Sequence, residues 1–320
     1  MKADAVTGVD GEGTNFEKGA TISQENLEIF SKVANAQAQI ESIIEVEEGS
    51  PDEQEKQLSQ SGKFKGNNLQ RGQSDTLAKI KANLAEEIAK GKAKSMFTTS
   101  NPNELIMEFR DDASAFDGKK RASLAGKGSI NNQFNAFIMD YLKENGIKNH
   151  YIESLDRTHS LVHSLKMFPI ECVIRNIATG SICRRLGTED GLKLKTPLFE
   201  FFLKDDELGD PLINKNHIIS FSWAEEHQIN QMIEITHRVN ELLSELFANA
   251  GMILVDFKLE FGLRGEEILL GDEFTPDGCR LWDSVTHEKL DKDRFRQDLG
   301  DVIESYHLVA DRLGIDIKVD

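Results

Sequence analysis

The chain has 320 residues, 39% of them hydrophobic, and a formal net charge of −17. That length and apolar content suffice for one large or two medium globular domains, while the acidity argues against nonspecific nucleic-acid binding, which needs a basic footprint. Cys172, Cys183 and Cys279 are odd in number and far apart, so neither a disulfide framework nor a Cys-x-x-Cys zinc site is suggested. With no hydrophobic leader after Met1 and no run of about 20 apolar residues, the expectation is a soluble cytoplasmic protein with no membrane or nucleic-acid partner.

Residues 1–74 are rich in Gly, Ser, Gln, Asn and Glu and hold no Trp or Tyr. Such a composition rarely builds its own core, so they are expected to form a polar, mostly disordered extension. One amphipathic helix is predicted near 22–46: Thr21-Ile22-Ser23-Gln24 reads as a capping box, and Leu27, Phe30, Val33, Ala34, Ile40 and Ile44 come after it as a helical stripe. Gly49-Ser50-Pro51 ends it, and the polar residues beyond read as a linker. Leu77, Ile80, Leu84 and Ile88 predict a short helix over 74–89, so that 75–89 connects the extension to a globular domain over 90–320.

The globular pattern predicts strands over 92–98 and 105–110, joined at the turn Ser100-Asn101-Pro102-Asn103. A helix comes next over 131–144, closed by Asn145-Gly146, then a strand from Pro169 to Arg175 on which Cys172 alternates inward with Ile170 and Ile174. Ile229, Met232, Ile233, Val239, Leu243 and Phe247 mark a long helix over 224–250 that stops at Gly251. A last helix is predicted over 291–313, burying Leu299, Ile303, Tyr306 and Val309. His159 and His163, four apart, read as a helix or loop face rather than a zinc site. Strands in hairpins with helices interspersed argue for an α+β class.

Between the last two helices lies the most informative segment. In Leu254-Val255-Asp256-Phe257-Lys258-Leu259-Glu260-Phe261-Gly262 the apolar and charged residues alternate, which puts Val255, Phe257, Leu259 and Phe261 on one face and Asp256, Lys258 and Glu260 on the other. A turn at Arg264-Gly265 and a returning strand to Leu270 bring Asp272 toward Lys258 and Glu260. Two carboxylates and a lysine suit Mg²⁺ holding a polyphosphate; a solvated hairpin face is the alternative. Elsewhere, Gly91-Lys92-Ala93-Lys94 places Lys92 and Lys94 where ammonium groups could meet phosphates, although no Walker loop is present. Asp117, in Ser114-Ala115-Phe116-Asp117-Gly118, could hold a substrate amine or accept its proton, or simply make a turn. Arg175, with Ala178-Thr179-Gly180-Ser181 just beyond it, and Arg280 past the hairpin could bind a sugar phosphate.

Taken together, these segments resemble the SAICAR synthetase family. The resemblance rests on Gly-Lys-Ala-Lys (91–94), Ser-Ala-Phe-Asp-Gly (114–118), Glu-Cys-Val-Ile-Arg-Asn (171–176), Thr-Gly-Ser (179–181), Leu-Val-Asp-Phe-Lys-Leu-Glu-Phe-Gly (254–262), Gly-Asp-Glu-Phe-Thr-Pro-Asp-Gly-Cys-Arg-Leu-Trp-Asp (271–283) and Asp-Lys-Asp-Arg-Phe-Arg-Gln (291–297), in order over about 90–315. It implies a two-lobed α+β fold with an ATP cleft between the lobes. It also implies a ligase of purine biosynthesis that joins L-aspartate to carboxyaminoimidazole ribotide (CAIR) at the expense of ATP. By position, the resemblance implies phosphate contacts from Lys92, Lys94 and Lys258, magnesium ligands in Glu260 and Asp272, and a ribotide-phosphate clamp of Arg175, Ser181 and Arg280. Met167 would touch adenine, with Lys204 also on the nucleotide side; Asp117, Lys292 and Arg296 would serve aspartate or the reacting carboxylate. Two alternatives remain open at this point, a polyol kinase on the same architecture and an inert relative that acts through its N-terminal extension. The oligomeric state is open as well, a homo-oligomer included.

Overall fold

The computed structural model describes residues 86–115 and 119–318. The expected helix near 22–46, the linker after it, most of the 74–89 helix and Asp117 lie outside the described residues.

The first sheet has the order β1-β2-β3-β7-β6, built from β1 (Glu87–Lys90), β2 (Lys94–Thr98), β3 (Glu104–Phe109), β6 (Tyr151–Ser154) and β7 (His159–His163). A separate hairpin pairs β4 (Asp112–Ala115) with β5 (Lys120–Ser123). Helix α1 (Lys127–Glu144) comes next and packs on β3 and β6 through a stripe that includes Ile130, Phe134, Ile138 and Leu142. Its start is fixed by Asp111, whose carboxylate accepts from the Gly126 and Gly128 amides at 3.2 and 2.9 Å. Those are donors a helix N-terminus would otherwise leave unpaired.

The second sheet is formed by β8 (Lys166–Ala178), β9 (Leu192–Leu203), β10 (Leu212–Ile213), β11 (Met252–Arg264), β12 (Glu267–Gly271) and β13 (Cys279–Asp283). Its order is β10-β9-β8-β11-β12, and β13 shares the β12 edge of β11. Short helices α2 (Ser181–Leu186) and α3 (Lys215–Ser220) interrupt it. The long helix α4 (Glu226–Asn249) covers its apolar face with Ile229, Met232, Val239, Leu243 and Phe247. A Glu225/Gln228 capping box starts α4, and Gly251 ends it with φ 69°. Cys172, Ile174, Phe257, Leu259 and Phe261 meet that helix in one core, which α1 joins through Phe134 and Ile138. All named strand pairs are antiparallel, as hairpin-rich α+β chains require.

Four expectations change. Residues 87–90 form a strand, not a helix end: Ile88 is 52% exposed, and the open edge of β2 pairs the segment despite its helical spacing. The last predicted helix is two, α5 (Asp293–Arg296) and α6 (Val302–Arg312), because Asp298, Gly300 and Asp301 all adopt positive φ and leave Leu299 exposed. Along β11 the alternation changes phase. Met252 and Leu254 join the same core as Phe257, and the reset falls at Val255, where pairing with β13 shifts register between Leu254 and Asp256. Such a bulge adds one residue and re-aims the side chains beyond it. His159 and His163 lie on strand β7, where the His159 ring is 2.9 Å from Asp156 and the His163 ring is 3.1 Å from Arg264.

The α1–β3 contact is tight enough to test. A Cβ on Gly128 would stand 2.3 Å from the Phe109 carbonyl oxygen, a backbone atom that cannot swing aside. Gly128→Ala should therefore lower the urea unfolding free energy by about 1–3 kcal/mol, the usual cost of overpacking. An unchanged urea midpoint would contradict the packing.

Candidate active site

The site grows from the register of three strands. On the face of the second sheet opposite α4, Asp256 lies across from Arg175, Lys258 across from Val173, and Glu260 across from Glu171, with Glu200 of β9 next in line from Val173. The other edge of β11 changes partner here, pairing β13 up to Phe257 and β12 from Glu260 onward. Lys258 falls in that gap, where its amide donates to the Gly278 carbonyl at 3.1 Å.

At one end of this face the predicted lysines and carboxylates converge. Lys258 Nζ bonds Glu260, and lies 3.1 Å from Glu171 Oε1 and 3.4 Å from Asp272 Oδ2. Lys204, just after β9, also pairs with Glu260, and Lys94 pairs with Asp272 and, at 3.3 Å, with Glu273. Burial alone would lower the Lys258 ammonium, but Glu260, Asp272 and Glu171 outweigh it and hold the group well above its ordinary range. Burial would likewise raise Asp272, yet Lys94, Lys258 and Lys204 keep it well below the carboxylate range. Glu273 and Glu171 are pushed upward, burial being the main cause.

This end can take a polyphosphate: the ammonium groups of Lys94, Lys204 and Lys258 can turn to phosphate oxygens, leaving carboxylates for a cation. No group of three or more His, Cys, Asp or Glu with metal-holding geometry occurs among the described residues. The pair Glu260 and Asp272 nevertheless fits Mg²⁺, which takes one or two carboxylates and completes its shell with phosphate and water. Both already surround one cationic atom, Lys258 Nζ. Met167, the second residue of β8, lies opposite Gly262; a Cβ on Gly262 would come within 2.9 Å of its sulfur, and one on Gly271 within 3.0 Å of its methyl. The two glycines let Met167 lie flat on the sheet while remaining 41% exposed. Lys92 stands apart from Lys94. It precedes the strand, pairs with Asp206 at 2.7 Å and lines a hollow of about 690 Å³ with Gly91, Arg110 and Ser114.

At the other end lies a cavity of about 410 Å³, lined among others by Gly180, Ser181, Arg184, Arg280, Lys289 and Arg296. Gly180 has φ 67°, and a Cβ there would meet the Arg280 guanidinium at 2.8 Å, so only glycine allows the approach. Arg280 is fixed by Asp256 and Asp293, each at 2.8 Å, and Arg296 by Asp293 at 2.6 Å. Arg175, predicted in the same clamp, sits behind the cavity wall. Its guanidinium bonds Asp256 at 2.6 Å and Glu200 at 2.8 Å, and its remaining nitrogen is 3.4 Å from Ser181 Oγ. Ser181 and Arg280 thus face the cavity while Arg175 reaches it through Ser181.

Between the two ends, Lys292 comes directly after the buried Asp291. Burial lowers its ammonium, with the Asp277 carboxylate opposing. Asp277 is held by Lys127 at 2.7 Å, Tyr306 at 2.6 Å and Asn131 at 3.2 Å. Sequence reading gave no role to Asp256, Asp293, Glu171, Lys127 or Asp277. Alternation could have found Glu171, which shares its strand face with Arg175, whereas the Lys127–Asp277–Tyr306 contact joins residues 29 to 150 positions apart and leaves no local signal.

A cleft that gathers ammonium and carboxylate groups beside an arginine-lined cavity belongs to the class that handles a polyphosphate and a second anion together. The model of the SAICAR synthetase family matches residues 87–313. The chain is 60% identical over 230 residues to the phosphoribosylaminoimidazole-succinocarboxamide synthase of Alcanivorax borkumensis, covering 72% of this chain and 97% of that protein. It is 58% identical to that of Marinomonas sp., again over 72% of this chain and 97% of the relative. The solved synthase of Ehrlichia chaffeensis superposes with a TM-score of 0.71 at 45% identity, over 72% of this chain and 99% of that one. A SAICAR synthetase in complex with ADP gives 0.71 at 42% identity, over 73% and 100%. The chain belongs to the SAICAR synthetase family. It is a ligase of purine biosynthesis.

Asp256 tests the electrostatic frame. It is 3% exposed and holds two arginines. Asp256→Ala strands both charges, and breaking a buried pair costs about 3–5 kcal/mol. Urea unfolding should show a loss of that size, and Asp256→Asn, which keeps an acceptor, should lose less; equal stability of Asp256→Ala and the parent would refute the frame.

Proposed function

We propose that this chain uses ATP and magnesium to couple L-aspartate to CAIR, releasing SAICAR, ADP and phosphate. The observation that carries the reading is that the lysine–carboxylate cluster and the arginine cavity occupy one sheet face, joined by Asp256, Lys258 and Glu260 of a single strand. The relatives' names and the neighbour's bound ADP support it.

The chemistry explains the two ends. A carboxylate is a poor electrophile toward an amine. Transfer of the γ-phosphoryl group to a carboxylate oxygen of CAIR makes an acyl phosphate and ADP. The aspartate amine then attacks the acyl carbon, phosphate leaves with the C–O bond electrons, and the amine loses a proton as the amide forms. Most of the catalysis is positioning and charge neutralisation. Lys92, Lys94, Lys204 and Lys258 hold ATP phosphates, and Met167 lies against adenine. Glu260 and Asp272 would hold Mg²⁺, which when bound would supply neutralisation of phosphate charge. Ser181 and Arg280, braced by Arg175, bind the ribotide phosphate. Asp117, Lys292 and Arg296 serve aspartate or the reacting carboxylate; a lysine lowered by burial, as Lys292 is, gives up a proton more readily than a solvated one.

Glu260→Ala and Asp272→Ala should each remove most turnover while leaving cooperative unfolding in place; near-parental turnover at ordinary magnesium in either would refute the metal assignment. Ser181→Ala should raise the CAIR KM about tenfold or more, a charge-assisted hydrogen bond being worth about 1.5–3 kcal/mol. The ATP KM should stay put, and equal shifts in both would remove Ser181 from the ribotide site. Because the family match begins at residue 87, a chain starting at Ser74 should keep near full turnover. Loss of turnover by a truncation that still unfolds cooperatively would show that the first residues help build the site.

A further inference from the structure

His150 belongs neither to the lysine–carboxylate cluster nor to the arginine cavity, yet it is tied to both sheets and to Asp272. It is 4% exposed and precedes β6. Its amide donates to the Leu270 carbonyl of β12 at 2.9 Å, and its own carbonyl accepts from the His163 amide of β7 at 2.7 Å. The first and second sheets therefore meet at this residue. Its side chain makes a third link: Nε2 is 2.8 Å from the Asp272 carbonyl oxygen. A carbonyl only accepts, so Nε2 carries the hydrogen.

This bond holds unusual backbone. Asp272 is a non-glycine residue with φ 55°, in the left-handed region. It comes directly after β12 ends at Gly271 and turns the chain so that its carboxylate faces Lys94 and Lys258. In that turn its carbonyl leaves the β11–β12 ladder, whose last pair is Glu260 with Gly271. The imidazole gives that carbonyl a partner inside the protein in place of a ladder bond.

We infer that His150 is a positioning residue for magnesium-nucleotide binding: through Nε2 it fixes the left-handed turn at Asp272 and so aims that carboxylate at the metal. The inference rests on the proposed role of Asp272 as a metal ligand. His150 touches neither nucleotide nor metal and acts only through the backbone it braces. The shape of the site implies a selective effect, because the Lys94 and Lys258 ammonium groups start from other strands and keep their hold on phosphates when the turn relaxes.

Calorimetric titration of ADP, with and without magnesium, tests this without turnover. In the parent, magnesium should tighten ADP binding. His150→Leu removes the donor at similar volume and should abolish most of that tightening, while ADP affinity without magnesium changes less than about twofold, below the tenfold that 1.4 kcal/mol represents. His150→Gln keeps a side-chain N–H and should restore much of the tightening. A structural role alone would lower the thermal midpoint and leave the magnesium effect intact in every folded variant, which overturns the inference. If His150→Leu does not fold, the proposal stands or falls on His150→Gln and His150→Gly: tightening that survives His150→Gly refutes it. Asp272→Ala separates the two claims. Should it also retain the magnesium effect, the metal assignment fails and this inference with it; should it lose the effect while His150→Leu keeps it, only the positioning role fails.

Discussion

Charges removed from water must neutralise one another, and this constraint organises the face of the second sheet opposite α4. Asp256, Arg175, Arg280 and Asp293 are all largely buried, and each is paired with at least two opposite charges or donors. Moving one such ion out of water unpaired costs several kcal/mol. The chain therefore alternates sign along the path Glu200–Arg175–Asp256–Arg280–Asp293–Arg296, and each arginine is fixed before any ligand arrives. Preorganised charge of this kind is what phosphoryl and acyl transfer require, because little reorganisation is left for the reaction itself. At the other end of the face the same rule operates with lysines, whose flexible stems let the ammonium groups exchange carboxylate partners for phosphate.

Sheet geometry and helix packing set where these charges stand. The apolar side of β11 packs on α4, so its charged side is committed to the opposite face; a one-residue slip would bury Lys258 in the core. The bulge at Val255 resets the alternation ahead of the stretch that holds Lys258 and Glu260, while pairing with β13 runs on to Phe257. Gly262 and Gly271 are small for reasons outside their own backbones, because Leu165 and Met167 occupy the space a side chain would take, whereas Gly180 combines a left-handed φ with the close approach of Arg280.

Much of this was legible in the residues themselves. Period-two alternation around Lys258 exposed the charged face, and the turn at Arg264-Gly265 brought Asp272 to it, as the 3.4 Å contact bears out. Helix α4 was plain because its apolar stripe is long and ends at a glycine. Where reading by pattern failed, a non-local partner or a special backbone had won. Residues 87–90 have a helical spacing but pair with β2, and the last helix looked continuous but breaks around Gly300; the pairing of Arg175 with Asp256 and Glu200 likewise left no local signal. Asp277 lies within the 271–283 motif but had no role of its own there, and His150 lay in no motif, since what matters about them is contact with Lys127, Tyr306 and the Asp272 carbonyl, far along the chain.

The proposed reaction turns on phosphorylation of a carboxylate before the amine arrives. Its most direct test uses CAIR labelled with ¹⁸O in the carboxylate, incubated with the full chain, ATP, magnesium and L-aspartate, with mass analysis of the inorganic phosphate. Each phosphate formed with SAICAR should carry one oxygen from CAIR. Phosphate free of label, at the same yield of SAICAR and ADP, would contradict the mechanism.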